Sequence, residues 1–139
     1  MENIFITYDI EFYNKQLVIQ GDQHSIWAYV YNVEGTQNTI ELDAFICSTG
    51  TIVQSSKEIK NYLESGFAPP LAKGFENKHS VIAHLEPSDF RVNIIGSKIE
   101  IYVTNKLYSL IDLETMTAYS ISVSKNGPYG QTLSTDNKN

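Results

Sequence analysis

The chain is poor in the residue types that most often announce chemistry. Its 139 residues hold one cysteine, three histidines and one tryptophan. The lone Cys47 excludes an internal disulfide and a multi-cysteine metal site. No apolar run approaches the roughly 18 residues of a membrane-spanning helix, so no membrane association is expected. The opening MENIFITYDIEF has no basic segment ahead of an apolar one and already alternates like a strand, which argues against a signal peptide and for a cytoplasmic location. There is no lysine-bearing glycine loop for phosphate, no Gly-x-Ser-x-Gly elbow and no basic–aromatic stripe for single-stranded nucleic acid. Gly127-Pro128-Tyr129-Gly130 lacks the lysine and the following helix of a phosphate loop. It is expected to be a turn that packs Tyr129 back onto the body.

Positive charge is scarce in one half. Through Gln54 the acids Glu2, Asp9, Glu11, Asp22, Glu34, Glu41 and Asp43 face a single base, Lys15; from Ser55 onward acids and bases balance. The whole formal charge of −6 therefore belongs to the first part of the chain. Such a distribution disfavours nucleic acid, whose phosphates demand clustered Lys and Arg. It suits a basic protein partner, or simply a well-solvated surface.

What is abundant is β-forming sequence, rich in tyrosine. Asp89–Ser124 reads as four short strands joined by polar turns at Gly96-Ser97, Asn105-Lys106 and Glu114-Thr115, an antiparallel meander against which the rest packs. Ahead of it, Ile4–Tyr13 alternates with period two, Asn14-Lys15 makes a two-residue turn, and Gln16–Gln20 returns. His24–Val33 is apolar on both faces, as in a strand covered from both sides. Thr39–Ser48 alternates Ile40, Leu42, Ala44 and Ile46 against Glu41, Asp43, Phe45 and Cys47. The period changes at Ser55–Ser65, where Ile59, Tyr62 and Leu63 share a helical face. Ser55 and Glu58 form a capping pair there, and Gly66 ends the helix. Phe67–His79 is expected to be a long loop and Ser80–Leu85 a short strand. Residues 1–132 thus form one domain, with 133–139 as a fraying tail. The fold class is mainly β: an antiparallel sandwich or curled sheet of eight or nine strands with one inserted helix.

His24, His79 and His84 have neither the helical nor the strand spacing of a metal site, so neither a metal nor a cofactor is expected. Cys47 ends a strand without any nucleophile signature and reads as a buried, inert thiol. Two carboxylate pairs stand out, Asp9 with Glu11 and Glu41 with Asp43, each spaced to point to one sheet face. If their strands share a sheet, the four acids form one negative patch with Phe5, Tyr13 and Phe45 interleaved. Aromatics among acids suit a docking surface for a basic partner, and an ordinary exposed sheet face is the competing explanation.

His24-Ser25, Trp27, Tyr29, the helix running into Pro69-Pro70, the meander, and Tyr119-Ser120 followed by Gly127-Pro128-Tyr129-Gly130 resemble small bacterial proteins with HSAWLYL-like and GYS…GPWG-like signatures. Ala118 and Tyr129 stand where that pattern has Gly and Trp. The resemblance implies the fold and brings no activity or catalytic residue. Size, acidity and layout also look like those of immunity proteins of bacterial toxin systems, which implies a non-enzymatic protein that neutralises a basic toxin. A second expectation is a small-ligand-binding domain or hydrolase with a pocket between Trp27 or Tyr29 and the 67–79 loop, using His79 or His84. A third is a homodimer built through an exposed edge strand or aromatic face.

Overall fold

A computed structural model describes residues 4–34 and 39–133. The alternation at the start of the chain forms β1 (Ile4–Ile10), which pairs antiparallel with β2 (Lys15–Gly21); β3 (Ser25–Asn32) and β4 (Thr39–Ser48) complete a four-stranded sheet in the order β1-β2-β3-β4. The meander supplies β7 (Phe90–Ile95), β8 (Lys98–Val103), β9 (Lys106–Asp112) and β10 (Thr117–Ser120), and β11 (Gln131–Thr132) joins β10 in parallel at the edge of this second sheet. Two two-residue strands, β5 (Ile52–Val53) and β6 (Leu71–Ala72), pair in parallel on either side of the α-helix α1 (Ser56–Glu64). Among the described residues there are eleven strands rather than eight or nine, the surplus being these short ones.

The two large sheets face each other as a sandwich. Ile4, Ile10, Leu17, Ile19, Ile26, Ala28, Val30, Ala44 and Ile46 from the first sheet share one buried cluster with Phe90, Ile99, Ile101, Val103, Ile111 and Ala118 from the second. Each Val, Leu, Ile or Phe side chain among these, fully withdrawn from water, contributes about 1.5–3 kcal/mol against the conformational entropy of ordering the chain. A second, smaller core lies on the outer side of the first sheet. There Trp27, Phe45, Leu71, Val123 and Tyr129 pack together, with Tyr29, Ala68, Ala72 and Phe75 at the margin. This explains why β3 is apolar on both faces: Ile26, Ala28 and Val30 enter the main core, and Trp27 enters the second.

Several local expectations are corrected. The strand expected to run to Tyr13 stops at Ile10, and a 3₁₀ turn at Glu11–Tyr13 closes the hairpin with Asn14 in the left-handed region (φ 55°). Asparagine tolerates that conformation, and the register becomes Ile10 opposite Lys15. Ser80–Leu85 is not a strand. The backbone N–H of Ser48 donates to Ser80 and that of Ile82 donates to Ser48, so one residue of β4 absorbs the local pairing, and His84 then turns left-handed (φ 62°). The 67–79 segment is less irregular than expected, since it holds β6 and a 3₁₀ turn at Lys73–Phe75. The helix falls where the capping pair places it, with Ser55 Oγ accepting from the Glu58 N–H. The expected loop at Glu34–Asn38 falls mostly, and the expected tail at 133–139 almost wholly, outside the described residues.

Candidate functional site

Register fixes which side chains share the outer face of the first sheet. Across the strands run the rows Phe5–Gln20–Trp27–Phe45 and Thr7–Val18–Tyr29–Asp43, followed by Asp9–Gln16–Tyr31–Ile40. The first row disappears at its Trp27–Phe45 end beneath the second core. Trp27 Nε1 donates to the Pro69 carbonyl (3.1 Å), and the Tyr129 hydroxyl donates to the Pro70 carbonyl (2.7 Å) while accepting from the Ala72 N–H (3.0 Å). The other two rows stay open. Phe5 is 63% exposed and Ile40 50%, Asp9 and Asp43 are exposed, and Tyr29 and Tyr31 are half-buried between them.

Of the residues expected to form the acidic patch, the structure brings together only some. Asp9 and Asp43 share the open face with Phe5. Glu41 does not, because two bulges in β4 interrupt its alternation: the register against β3 skips Glu41 and Ile46. A bulge adds one residue and resets which face follows. Ile40 is therefore on the outer face, and Glu41 turns to Lys15, with which it forms an ion pair. Glu11 lies in the 3₁₀ turn beyond the strand, and Tyr13 packs against the main core. Phe45 is 0% exposed and cannot touch a partner. Its ring is an edge-on neighbour of Trp27 (5.4 Å) and Tyr129 (5.2 Å) instead.

The open face is electrostatically one-sided. Lys15, the only base before Ser55, is engaged with Glu41, and among the described residues Asp9, Asp22 and Asp43 form no ion pair. Burial, followed by the charges of Asp43, Tyr31 and Asp22, pushes the Tyr29 hydroxyl up to about 12. Partial burial also raises the Asp43 carboxyl above its ordinary value.

At the end of this face, sequence reasoning missed an arrangement around Asp22. In the β2–β3 turn its Oδ1 accepts from the N–H groups of His24 (2.7 Å) and Ser25 (3.1 Å), and its Oδ2 accepts from the N–H of Ala68 (3.3 Å). One carboxylate thus ties the turn to the segment that follows α1. His24 reinforces the tie. Its ring meets Phe67 (4.6 Å) and Tyr62 (4.7 Å) edge-on, and its Nδ1 lies 2.8 Å from Thr51 Oγ1. The Gly-Asp pair at a strand end was the only local signal, and it marks a turn without saying what the carboxylate reaches. Two concavities flank Asp22. A groove of about 520 Å³ on the outer side is bounded by Phe5, Gln20, Tyr29, Phe67 and Ala68. A hollow of about 330 Å³ on the other side is bounded by Ile26, Thr49, His84 and Glu86.

The pocket anticipated between Trp27 or Tyr29 and the 67–79 loop opens on its Tyr29 side, where the groove meets Phe67 and Ala68; beside Trp27 the space is filled by the protein itself. Trp27 is 4% exposed, and the groove opens one residue pair further along, at Tyr29. His84 borders the smaller hollow and His79 sits in the 77–82 loop, where its carbonyl accepts from Ser122 Oγ (3.3 Å), so the two histidines do not converge on the groove. Burial pushes the Cys47 thiol up to about 12. Among the described residues no three His, Cys, Asp or Glu side chains are placed to hold a metal ion. Compared with protein-family models, curated proteins and solved structures, the chain matches none, and the site is interpreted from its own residues.

Proposed function

We propose that this protein is a non-enzymatic binding module whose open sheet face engages a basic protein partner, in the manner of an immunity protein holding a toxin. One observation carries the proposal: Asp9 and Asp43 share an uncovered face with Phe5, Tyr29, Tyr31 and Ile40, and among the described residues no cation pairs with either carboxylate. Half-buried tyrosines and exposed apolar groups supply contact area at low entropic cost, while uncompensated carboxylates steer an oppositely charged surface. The second core covers the Trp27–Phe45 end and stiffens the face beside it, so little ordering accompanies binding.

The test compares two charge reversals of equal size. Asp9→Lys with Asp43→Lys changes the face; Glu100→Lys with Glu114→Lys makes the same change of net charge on the second sheet. Protein captured from lysate at low salt and released at high salt is identified, and its association rate is measured against each form. The face reversal is expected to slow association by about tenfold or more, and the control reversal by less than about twofold. Equal effects from both reversals mean that net charge alone is recognised, and the proposed face is then rejected.

A further inference from the structure

The outer faces of the two sheets carry a similar grouping with one difference. On the second sheet the Arg91 guanidinium lies over the Tyr102 ring, 4.0 Å from its centre, and the Tyr102 hydroxyl donates to Glu100 (3.1 Å). Ring, carboxylate and guanidinium form a closed set. On the first sheet the ring and the carboxylates are present without the cation. Tyr29 stands opposite Asp43 across β3 and β4, borders the groove together with Asp22, and feels the negative charge of both. Among the described residues no Lys or Arg borders that groove.

We propose that the groove between Phe5 and the Gly66–Ala68 segment receives an arginine side chain of the basic partner, with its guanidinium at Asp22 and Tyr29 and its methylene stem along Phe5 and Phe67. This rests on the open face being the docking surface and names the anchor within it. Three features select arginine over lysine. The walls are aromatic, and a planar guanidinium stacks on aromatic faces where an ammonium stays hydrated. Asp22 is held by three backbone N–H groups, so its carboxylate is already oriented, and a forked donor gains most from a fixed acceptor. Phe5, at 63% exposed, is a large apolar side chain at the groove mouth that gains cover only when a partner is bound. The groove, at about 520 Å³, has room for one such side chain with accompanying water.

The probe is N-acetyl-arginine amide, titrated at low salt into the isotope-labelled protein while backbone amide resonances are followed. Saturable shifts are expected at Gly21, Asp22, Tyr29, Phe67 and Ala68. They should be absent with N-acetyl-citrulline amide, which has the same shape without the charge. Phe5→Ala, at an exposed position that leaves the fold intact, should weaken binding by about fivefold, the equivalent of a contact of about 1 kcal/mol. Shifts that fail to saturate, that citrulline amide reproduces, or that Phe5→Ala leaves unchanged overturn the assignment. A silent titration combined with location-dependent capture through Asp9 and Asp43 removes the groove and keeps the face. Saturable arginine binding combined with equal effects of the two charge reversals removes the face and keeps the groove.

Discussion

Removing a single oxygen atom from Tyr129 tests whether the second core holds the outer layer of this protein in place. The hydroxyl lies within a largely apolar cluster and closes two bonds at once: it donates to Pro70 O at 2.7 Å and accepts from Ala72 N at 3.0 Å. Pro70 is fully buried, so Tyr129→Phe leaves its carbonyl without this partner in a place water reaches poorly. An unsatisfied buried group of this kind costs about 1–3 kcal/mol; the Ala72 N–H, only half-buried, adds less. Taking about 2 kcal/mol and the entropy of unfolding of a domain of this size, Tm should fall by about 6 °C. The ring contacts with Trp27 (5.8 Å) and Phe75 (5.1 Å) are unaffected by the change, so packing loss is not confounded with the polar loss. Thermal unfolding followed by far-ultraviolet dichroism and by the fluorescence of Trp27, which is 4% exposed inside the same cluster, reports both the fold and the cluster. Tyr119→Phe, at a half-buried tyrosine of the second sheet whose hydroxyl makes no hydrogen bond among the described residues, is the control and should change Tm by less than about 2 °C. If Tyr129→Phe behaves like the control, the two hydrogen bonds are not what fastens the 69–72 segment to the sheet.

Three further outcomes follow from the packing around particular residues. At Gly21 an added Cβ would lie 2.7 Å from Ile26 Cγ1, a core side chain that is 0% exposed, so Gly21→Ala should destabilise by about 1–3 kcal/mol, measurable by urea titration. Burial raises both the Cys47 thiol and the Tyr29 hydroxyl from their ordinary 9.0 and 10.0 to about 12. The unfolded chain therefore loses these protons first, and the stability they contribute is complete below about pH 9 and declines as pH rises toward 12. Urea midpoints measured from pH 8 to 11 should fall, and Cys47→Ala should flatten the fall above pH 9. A thiol reagent at pH 8 should label native Cys47 only as fast as the protein opens.

Much of the layout was legible because it is local. Period-two alternation in Ile4–Ile10 and in the meander reports a strand with one covered face, whatever it packs against. The Ser55–Glu58 pair marks a helix start because both partners lie within one turn. The Gly127–Gly130 turn packs Tyr129 back onto the body, as its sequence leads one to expect, at 3% exposure. The candidate site was only half legible for a related reason. Asp9 and Asp43 end up on one face because β1 and β4 belong to the same sheet, as the alternation allowed. Glu41 and Phe45 leave the exposed patch because of a bulge and because of a distant segment, neither of which alternation can register.

Composition and periodicity by themselves determined that this chain builds strands around an apolar interior, places one helix after Ser55, and keeps its uncompensated negative charge in the first 54 residues. Those properties depend on near neighbours and on the sum of side-chain types. The tertiary structure decided which parts of each face stay open. Pro69–Ala72 and Tyr129 cover Trp27 and Phe45 and stop short of Tyr29, and Asp22 reaches across the turn to Ala68. Contacts between residues more than 40 positions apart leave no periodic trace, because burial at such a site is set by what the chain brings to it from elsewhere.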